Sequence, residues 1–555
     1  MATVAELLAE TLLKAGVSRV YGIIGTSIVD LVDSLYDYRS RLDLVTTRHE
    51  QVAASAADAE FRVSRKLSAA AVHAGPGFLN TLISLGIAYK DRVPFILVSG
   101  GVRRRLRGTG AWLEVDQQSI AKPLAKYYGI VNSPGEALQV FAEAIRAAVE
   151  PPMGPAVIEV PEDLWKASAP VDKEVLEGIG VRSEPKGVGD EAREIAYRLA
   201  EAKKPVILAT GELAYSPDFR QESLLRLAEA TGAYIVVSGN GRGACPEDHL
   251  RCLGRVGFGG GSIAADRTLE SSDLLLVFGY ELDDITTYAY TMLPEGDVIL
   301  ISQDPLAEKR PAYYELYRAS PSKALEEILE AAKPAASKDG WDREVGSYKR
   351  EWRAMLSSAV ERKTSMANPD RFFHILDGQI PRERVVSGGQ GTHILYTYNH
   401  LKIYRPGGFL AATNLGAMGY ALPAAIGASK AAPHAYNLCV AGDGELMMTI
   451  QDLETITREG LDVKIVLVND DSYKVLYLRQ ILQKMGRVYG TLLTNPDFES
   501  LAHAFNINYV RIEKYGEEER GVEALRRRGP TLAEIKISKD DIPPLNLDYT
   551  LRMSL

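Results

Sequence analysis

The 555-residue chain reads as an α/β protein made of three doubly wound parallel-sheet domains. Strand-like and helix-like segments alternate almost throughout, the pattern of parallel sheets with helices on both faces. Two stretches interrupt it: residues 166–189, rich in charge, Pro and Gly, and residues 331–339 (AAKPAASKD), a small-residue linker. They leave segments 1–168, 188–330 and 365–555, each the size of one α/β domain, in a chain far too long for a single core.

Composition supports an ordinary globular protein, with 46% hydrophobic and 25% charged residues. A net charge of −9 argues against nucleic acid as the main partner. Two basic clusters, Arg103-Arg104-Arg105-Leu106-Arg107 and Arg526-Arg527-Arg528, read as solvated faces. The first follows a strand end, where it is also placed to meet an anionic substrate. Cys245, Cys252 and Cys439 give neither a disulfide framework nor metal-ligand spacing, which suits a reducing cytoplasm. No apolar run reaches membrane length, so no membrane partner is expected.

In chain order, residues 1–17 form an amphipathic helix with Glu6 and Glu10, stopped by Gly16. Arg48-His49-Glu50-Gln51 precedes a small-residue helix (VAASAADAEF), and Gly75-Pro76-Gly77-Phe78-Leu79-Asn80 opens another. Strand-like residues 234–237 lead into Asn240-Gly241-Arg242-Gly243, a weak dinucleotide signal without a clean G-x-G-x-x-G. Strand-like residues 274–278 run into Gly279-Tyr280-Glu281-Leu282-Asp283-Asp284. Residues 436–441 (YNLCVA) are a short apolar strand, Gly442-Asp443-Gly444 a tight turn, and residues 446–459 carry helical periodicity. Residues 463–468 (VKIVLV) make the next strand and end at Asn469-Asp470-Asp471-Ser472.

That last βαβ unit reads as a diphosphate-and-metal clamp. Glycines let backbone approach a phosphate, and a helix start offers unpaired N–H groups and a positive dipole end. Asp443 and Asp470 end two parallel strands, where hard oxygen ligands hold Mg²⁺ against a diphosphate.

A GDG answered some two dozen residues later by an Asn-rich turn resembles the signature of thiamine-diphosphate (ThDP) enzymes. The resemblance runs from end to end. His49-Glu50-Gln51, the GPGFLN turn, Asp91, Val93 and Pro94, and Glu114-Val115-Asp116-Gln117 look like family stretches of a first, pyrimidine-binding domain. Gly416-Ala417-Met418-Gly419 and the following YALPAA are similar to the family's "GTMG…LPAA" in a last, diphosphate-binding domain, with a central domain between them. The resemblance implies an acetolactate-synthase-like enzyme within the group of 2-oxo acid decarboxylases, carboligases and 2-hydroxyacyl-CoA lyases.

Carried onto this chain, it implies Mg²⁺ ligation by Asp443, Asp470 and the Ser472 carbonyl, with Asp470 where the family commonly has Asn. Cofactor contacts fall on Gly391, Gly416, Met418, Gly442, Asp443, Gly444, Asp470 and Tyr473. Met418 would lie under the bend of the cofactor, and the Gly416 carbonyl would face the 4′-amino group. Glu50 would hydrogen-bond the aminopyrimidine N1′ and start catalysis; burial beside an apolar ring would raise its pKa. A glutamate at a helix start is equally what the helix dipole favours. His73 occupies the place of an active-site histidine of benzoylformate decarboxylase. Gly391-Thr392-His393 resembles the "GQH" element of acetolactate synthase, so that His393 would contact diphosphate or substrate.

Three departures bear on substrate and cofactor. Thr392 replaces the glutamine of that element, and Arg479 stands where acetolactate synthases carry a tryptophan. Glu281 stands where FAD-binding relatives have Arg, a sign that opposes a flavin diphosphate, so no tightly held FAD is expected although Gly254, Gly257, Gly259 and Gly260 keep a Gly-rich turn. The family builds each site across two subunits, which implies a homodimer or homotetramer with ThDP at the interface. The expected reaction is decarboxylation of a 2-oxo acid with transfer of the acyl anion to an acceptor. Alternatives are a 2-hydroxyacyl-CoA or oxalyl-CoA lyase, a simple decarboxylase, a silent ThDP-binding paralogue and a flavin- or nicotinamide-dependent oxidoreductase.

Overall fold

The structure is a computed structural model that describes residues 2–180, 182–310 and 314–546. Residues 311–313 and 547–555, within the expected central and last segments, lie outside the described residues. Three six-stranded parallel sheets are present. The first comprises β1 (Arg19–Gly22), β2 (Asp43–Thr46), β3 (Ala69–Val72), β4 (Ile96–Gly101), β5 (Tyr127–Ile130) and β6 (Ala156–Pro161). The second holds β7 (Pro205–Ala209), β8 (Tyr234–Val237), β9 (Cys252–Arg255), β10 (Leu274–Phe278), β11 (Asp297–Ile301) and β12 (Glu315–Tyr317). The third holds β13 (Arg384–Gly388), β14 (Phe409–Leu410), β15 (Tyr436–Gly442), β16 (Val463–Asn469), β17 (Asn508–Ile512) and β18 (Thr531–Lys536).

The first sheet is ordered β2-β1-β3-β4-β6-β5 and the third β14-β13-β15-β16-β18-β17, the same topology. The second is ordered β9-β8-β7-β10-β11-β12, the order of dinucleotide-binding sheets. Its strands show why both faces are covered. Ile207, Ile235, Leu276 and Phe278 pack into one apolar cluster, while Val206, Val236, Leu275 and Val277 pack into another on the opposite face.

The chain forms two compact units. One comprises Met1–Ser183, Ala412–His434 and Met448–Val463; the other comprises Glu184–Ala411, Ala435–Met447 and Lys464–Leu555. Four helices matter below: α1 (Glu50–Ser64), α2 (Asp339–Glu361), α3 (Ala421–Ala431) and α4 (Lys474–Gln483).

In the first unit, α1 packs along α3 through small residues. A Cβ on Gly427 would overlap the Ala56 carbonyl oxygen, so glycine permits the close approach. Beneath this contact Arg62, fully buried, bonds Asp58 Oδ2 at 2.8 Å and Oδ1 at 3.1 Å, and Asp91 Oδ2 at 2.9 Å. Tyr420 donates its hydroxyl to Asp58 at 2.5 Å, and the Asn414 N–H donates to Asp91 at 3.1 Å. The N-terminal helix expected over residues 1–17 runs Val4–Lys14 with a Thr3/Glu6 capping box, and Gly16 follows at φ +83°.

Two sequence readings need correction. Cys245 and Cys252 are joined by a disulfide with Cα atoms 6.1 Å apart, closing the β8–β9 connection, and only Cys439 is a free, buried thiol. A separation of seven residues carries no pairing signal by itself, and the cysteine argument for a reducing compartment falls with it. The helical periodicity of residues 446–459 is not one helix: a turn at Asp443–Leu446, a 3-10 turn at Ile450–Asp452 and a helix at Leu453–Arg458 replace it. The linker expected at 331–339 has no regular structure over residues 332–338, and the chain after it becomes α2, whose Trp341 and Val345 anchor it in the core of the second sheet.

Replacing Arg62 with Met would leave two buried carboxylates without their cation, at a cost of about 3–5 kcal/mol. Thermal melting of Arg62→Met should show a clearly lower midpoint; parity with the parent protein would contradict a paired buried network.

Candidate functional site

The groups expected to meet the cofactor fall into two sets, one in each compact unit. In the first, β2 ends at Thr46 and the chain turns into α1. The Arg48 N–H donates to Asp452 at 2.8 Å. His49 is the N-cap residue, its Nδ1 accepting the Gln51 N–H at 3.1 Å. Glu50 is therefore the first residue of the helix, half-buried rather than fully buried. The Asn80 amide donates to its Oε2 at 2.9 Å.

A Cβ on Gly77 would come within 3.3 Å of Glu50 Oε1 and 3.1 Å of His73 Cβ, so the GPG turn is what lets these two side chains approach. His73 is fixed by Ser27, whose N–H donates to Nδ1 at 3.3 Å and whose Oγ lies 2.9 Å from the same atom. That leaves Nε2 as the protonated nitrogen. Burial holds His73 below the usual imidazole range, against the raising effect of the Glu50 charge. Gly416 and Gly419 adopt φ +67° and +78°, and half-buried Met418 lies between them. The Gln51 amide reaches the Gly419 carbonyl at 3.5 Å.

In the second unit, β15 ends at Gly442 and β16 at Asn469, and both deliver acids. Asp443 is 2% exposed and Asp470 7%. Burial pushes the Asp443 carboxyl up to about 6; its bond from Asn495 opposes this and the Asp470 charge adds to it. Burial also raises Asp470, although Lys474 Nζ lies 3.7 Å from it and Ser472 Oγ donates to it at 2.7 Å. Asp471 is in the left-handed region at φ +54°, which Asp tolerates better than most residues. The segment after α4 braces this turn. The Leu493 N–H donates to the Asp471 carbonyl at 2.8 Å and the Tyr473 N–H to the Thr491 carbonyl at 2.8 Å.

The Asn495 amide donates to Asp443 at 2.7 Å, to Asp471 at 3.0 Å and to Asn469 at 3.2 Å. His393 Nε2 lies 3.0 Å from Glu445 Oε2. Around this pair glycine is obligatory: Cβ atoms on Gly391 and Gly442 would strike the His393 ring, one on Gly389 the Glu445 carboxylate, and one on Gly444 the Tyr473 ring.

Gly391, His393, Gly442, Asp443, Gly444, Asp470, Ser472 and Tyr473 are thus brought together in the second unit, and Glu50, His73, Gly416 and Met418 belong to the first. Sequence reading missed Ser27, Glu445, Lys474 and Asn495. Asn495 sits in an irregular stretch with no periodicity to mark it. Arg479 lies exposed, bonded to Gln483 at 2.8 Å. The basic cluster is charge-paired: Arg103 with Glu162 at 2.8 Å, Arg104 with Asp163 at 2.9 Å and Arg107 with Glu159 at 3.5 Å.

Among the described residues no group of three His, Cys, Asp or Glu side chains forms a metal cage. The donor set still fits Mg²⁺. Two buried carboxylates raise each other's cost of ionisation, the Asp443 partner Asn495 is neutral, and Ser472 adds oxygen donors.

The glycine-rich acidic turns after parallel strands and the helix-start glutamate held by an amide are features that carried the resemblance to ThDP-dependent enzymes, and the comparisons with known proteins agree with it. The thiamine pyrophosphate enzyme N-terminal TPP binding domain matches residues 2–120, the central domain residues 192–318 and the C-terminal TPP binding domain residues 389–535. The chain belongs to the ThDP-dependent enzyme family and is acetolactate-synthase-like. It is similar to the probable acetolactate synthase large subunit of Methanocaldococcus jannaschii, 29% identical over 98% of this chain and 93% of that one. It is equally similar to the acetolactate synthase isozyme 2 large subunit of Escherichia coli, 29% identical over 98% and 97%. The large subunit of Buchnera aphidicola is 27% identical over 94% and 92%.

With its folded-state value raised to about 6, Asp443 favours the folded state in its protonated form. Its destabilising contribution is absent below the ordinary carboxylate range and complete above pH 6. Asp443→Asn should therefore stabilise the metal-free protein by about 1–3 kcal/mol near neutral pH, a gain that vanishes near pH 4. Melting curves across this pH range, with and without Mg²⁺, check it. The variant should also lose any stabilisation by the metal.

Proposed function

We propose that the protein decarboxylates a 2-oxo acid and joins the resulting acyl anion to a second carbonyl compound, as an acetolactate-synthase-like carboligase. The observation that carries this is similarity to acetolactate synthase large subunits along nearly the whole chain, with both candidate half-sites retained.

ThDP supplies, when bound, the electron sink that a carbonyl anion needs. Asp443, Asp470 and the Ser472 carbonyl would hold Mg²⁺ against its diphosphate, with Gly391, Gly442, Gly444 and Tyr473 shaping the surrounding backbone. Lys474 offsets part of the acidic charge. Glu50, oriented by Asn80, would hold a proton at the pyrimidine N1′. The Gly416 carbonyl would face the 4′-amino group and Met418 would support the bend. Neutral His73, with its Nε2–H free of the Ser27 contact, is suited to donate to a substrate carboxylate or carbonyl. His393, braced by Glu445, would position diphosphate or substrate.

The segments 1–168, 188–330 and 365–555 are proposed as the pyrimidine-binding, central and diphosphate-binding domains. The working form proposed is a cytoplasmic homodimer or homotetramer with ThDP at the subunit interface. Charge pairing of Arg103, Arg104 and Arg107 weakens one of the three supports for an acyl-CoA substrate, the others being the GPGFLN turn and Glu281 at the place of the FAD-binding arginine.

A proton-NMR time course with ThDP, Mg²⁺ and pyruvate should show acetolactate or acetoin. Acetaldehyde alone would make the protein a simple decarboxylase, and no turnover of pyruvate would count against the carboligase reading.

Glu50→Gln should lower turnover by about 10²–10⁴-fold, the scale of a lost proton-transfer group. Calorimetric ThDP binding should stay close to the parent's; parallel loss of binding would contradict the proton-holding role.

A further inference from the structure

The central sheet has the strand order of dinucleotide-binding folds, so its ligand crevice opens where the order reverses, between the carboxyl ends of β7 and β10. In such folds the backbone N–H after the first strand and the donors of the neighbouring turns receive an external phosphate. Here those donors are already engaged. The Gly211 N–H, just after β7, donates to Glu281 Oε2 at 2.8 Å. Ser238, just after β8, donates its hydroxyl to the same oxygen. The Asn240 amide donates to Oε1 at 3.0 Å. Glu281 comes from the turn after β10, is 2% exposed, and thus fills the crevice from its other wall.

The Gly-rich turn after β9 repeats the arrangement independently. The Gly257 N–H donates to Asp266 Oδ1 at 2.9 Å, and Tyr288 and Asn546 donate to Asp266 Oδ2 at 2.7 and 2.9 Å. Asp266 is fully buried, and a Cβ on Gly261 would strike its carboxylate. The two places where a nucleotide's anionic groups would find backbone N–H donors therefore each hold a carboxylate of the chain itself. Asp283 lies close enough for its charge to act on Glu281, which adds like charge where a diphosphate would have to enter.

We propose that Glu281 is an intramolecular anion seated in the nucleotide subsite, closing the central domain to FAD and to adenine nucleotides, and that its removal opens a site for small external anions. This goes beyond the catalytic reading and stands or falls separately from it.

The test is melting of the parent protein and of Glu281→Ala in acetate, inorganic phosphate, ADP, FAD or chloride at matched ionic strength. The parent midpoint should not move with ADP or FAD. The variant should melt lower and recover with increasing acetate or phosphate, beyond any effect of chloride, as expected for a ligand that binds only the folded state. Stabilisation of the parent by ADP or FAD overturns the proposal, and so does a variant that responds to acetate and phosphate no more than to chloride.

Should Glu281→Ala fail to fold, equilibrium dialysis of ADP against the parent tests closure directly, with binding as the adverse result. Glu281→Gln, which turns an acceptor towards these donors into a competing N–H, should lower the midpoint. An unchanged midpoint would show that the cradle does not hold an anion.

Discussion

The close approach of α1 and α3 is the constraint on which the candidate site residues of the first unit depend. α1 begins with Glu50, and the segment entering α3 carries Gly416, Met418 and Gly419. Their mutual position is set where Gly427 meets the Ala56 backbone, a contact that one methyl group would forbid. Small side chains give little apolar area per residue, so the interface relies instead on the Arg62–Asp58–Asp91 network and Tyr420. Such a buried network costs desolvation, and it repays that cost only when each member has its partner. It fixes one register between the two helices, which a sliding apolar face would not.

The acidic turn of the second unit works by the opposite logic. Asp443 and Asp470 are gathered at strand ends where burial disfavours their charge, and Asp471 is held in a backbone conformation that side-chain residues rarely adopt. A left-handed residue and like charges at one place are the grounds on which a ligand site is proposed there. The Asp470–Lys474 pair is informative here. A carboxylate in place of a neutral amide adds one negative charge, and a buried ammonium one helical turn along supplies a positive one. On the Asp443 side the Asn495 amide and the Gly444 N–H are neutral donors, which agrees with the divalent cation proposed above.

Much of this was legible in the sequence because it is local. Alternating apolar segments specify three sheets, and the positions of Gly442-Asp443-Gly444 and Asn469-Asp470-Asp471-Ser472 follow from strand ends alone. What was not legible depends on contacts distant in sequence. Ser27 is a partner of His73 only because β1 and β3 are neighbours, and Asn495 reaches Asp443 through an irregular segment. Glu445 beside His393 is invisible until β13 and β15 pair. The periodicity of residues 446–459 misled because spacing of apolar residues does not show where a helix breaks: residues 447–449 are turns, and short helical turns stand on either side of them.

Topology accounts for where sites lie, but not for which are used. The first and third sheets share one strand order, and each carries its candidate chemistry at the carboxyl ends of its strands: Glu50 after β2, His73 after β3, Asp443 after β15 and Asp470 after β16. The second sheet has the order best known for nucleotide crevices, and its strand ends present Gly211, Ser238 and the Gly-rich turn in the appropriate places. There the chain supplies its own carboxyl groups, Glu281 and Asp266. The physical difference is whether backbone donors and carboxylates at a strand end satisfy each other or leave a charge unmatched. Beside the second sheet Glu281 accepts from Gly211, Ser238 and Asn240, and Asp266 accepts from Gly257, Tyr288 and, from the C-terminal segment, Asn546. At Asp443 the Asp470 charge adds to the effect of burial and the Asn495 amide opposes it, while Lys474 stands beside Asp470; that balance is the ground for proposing a cation there.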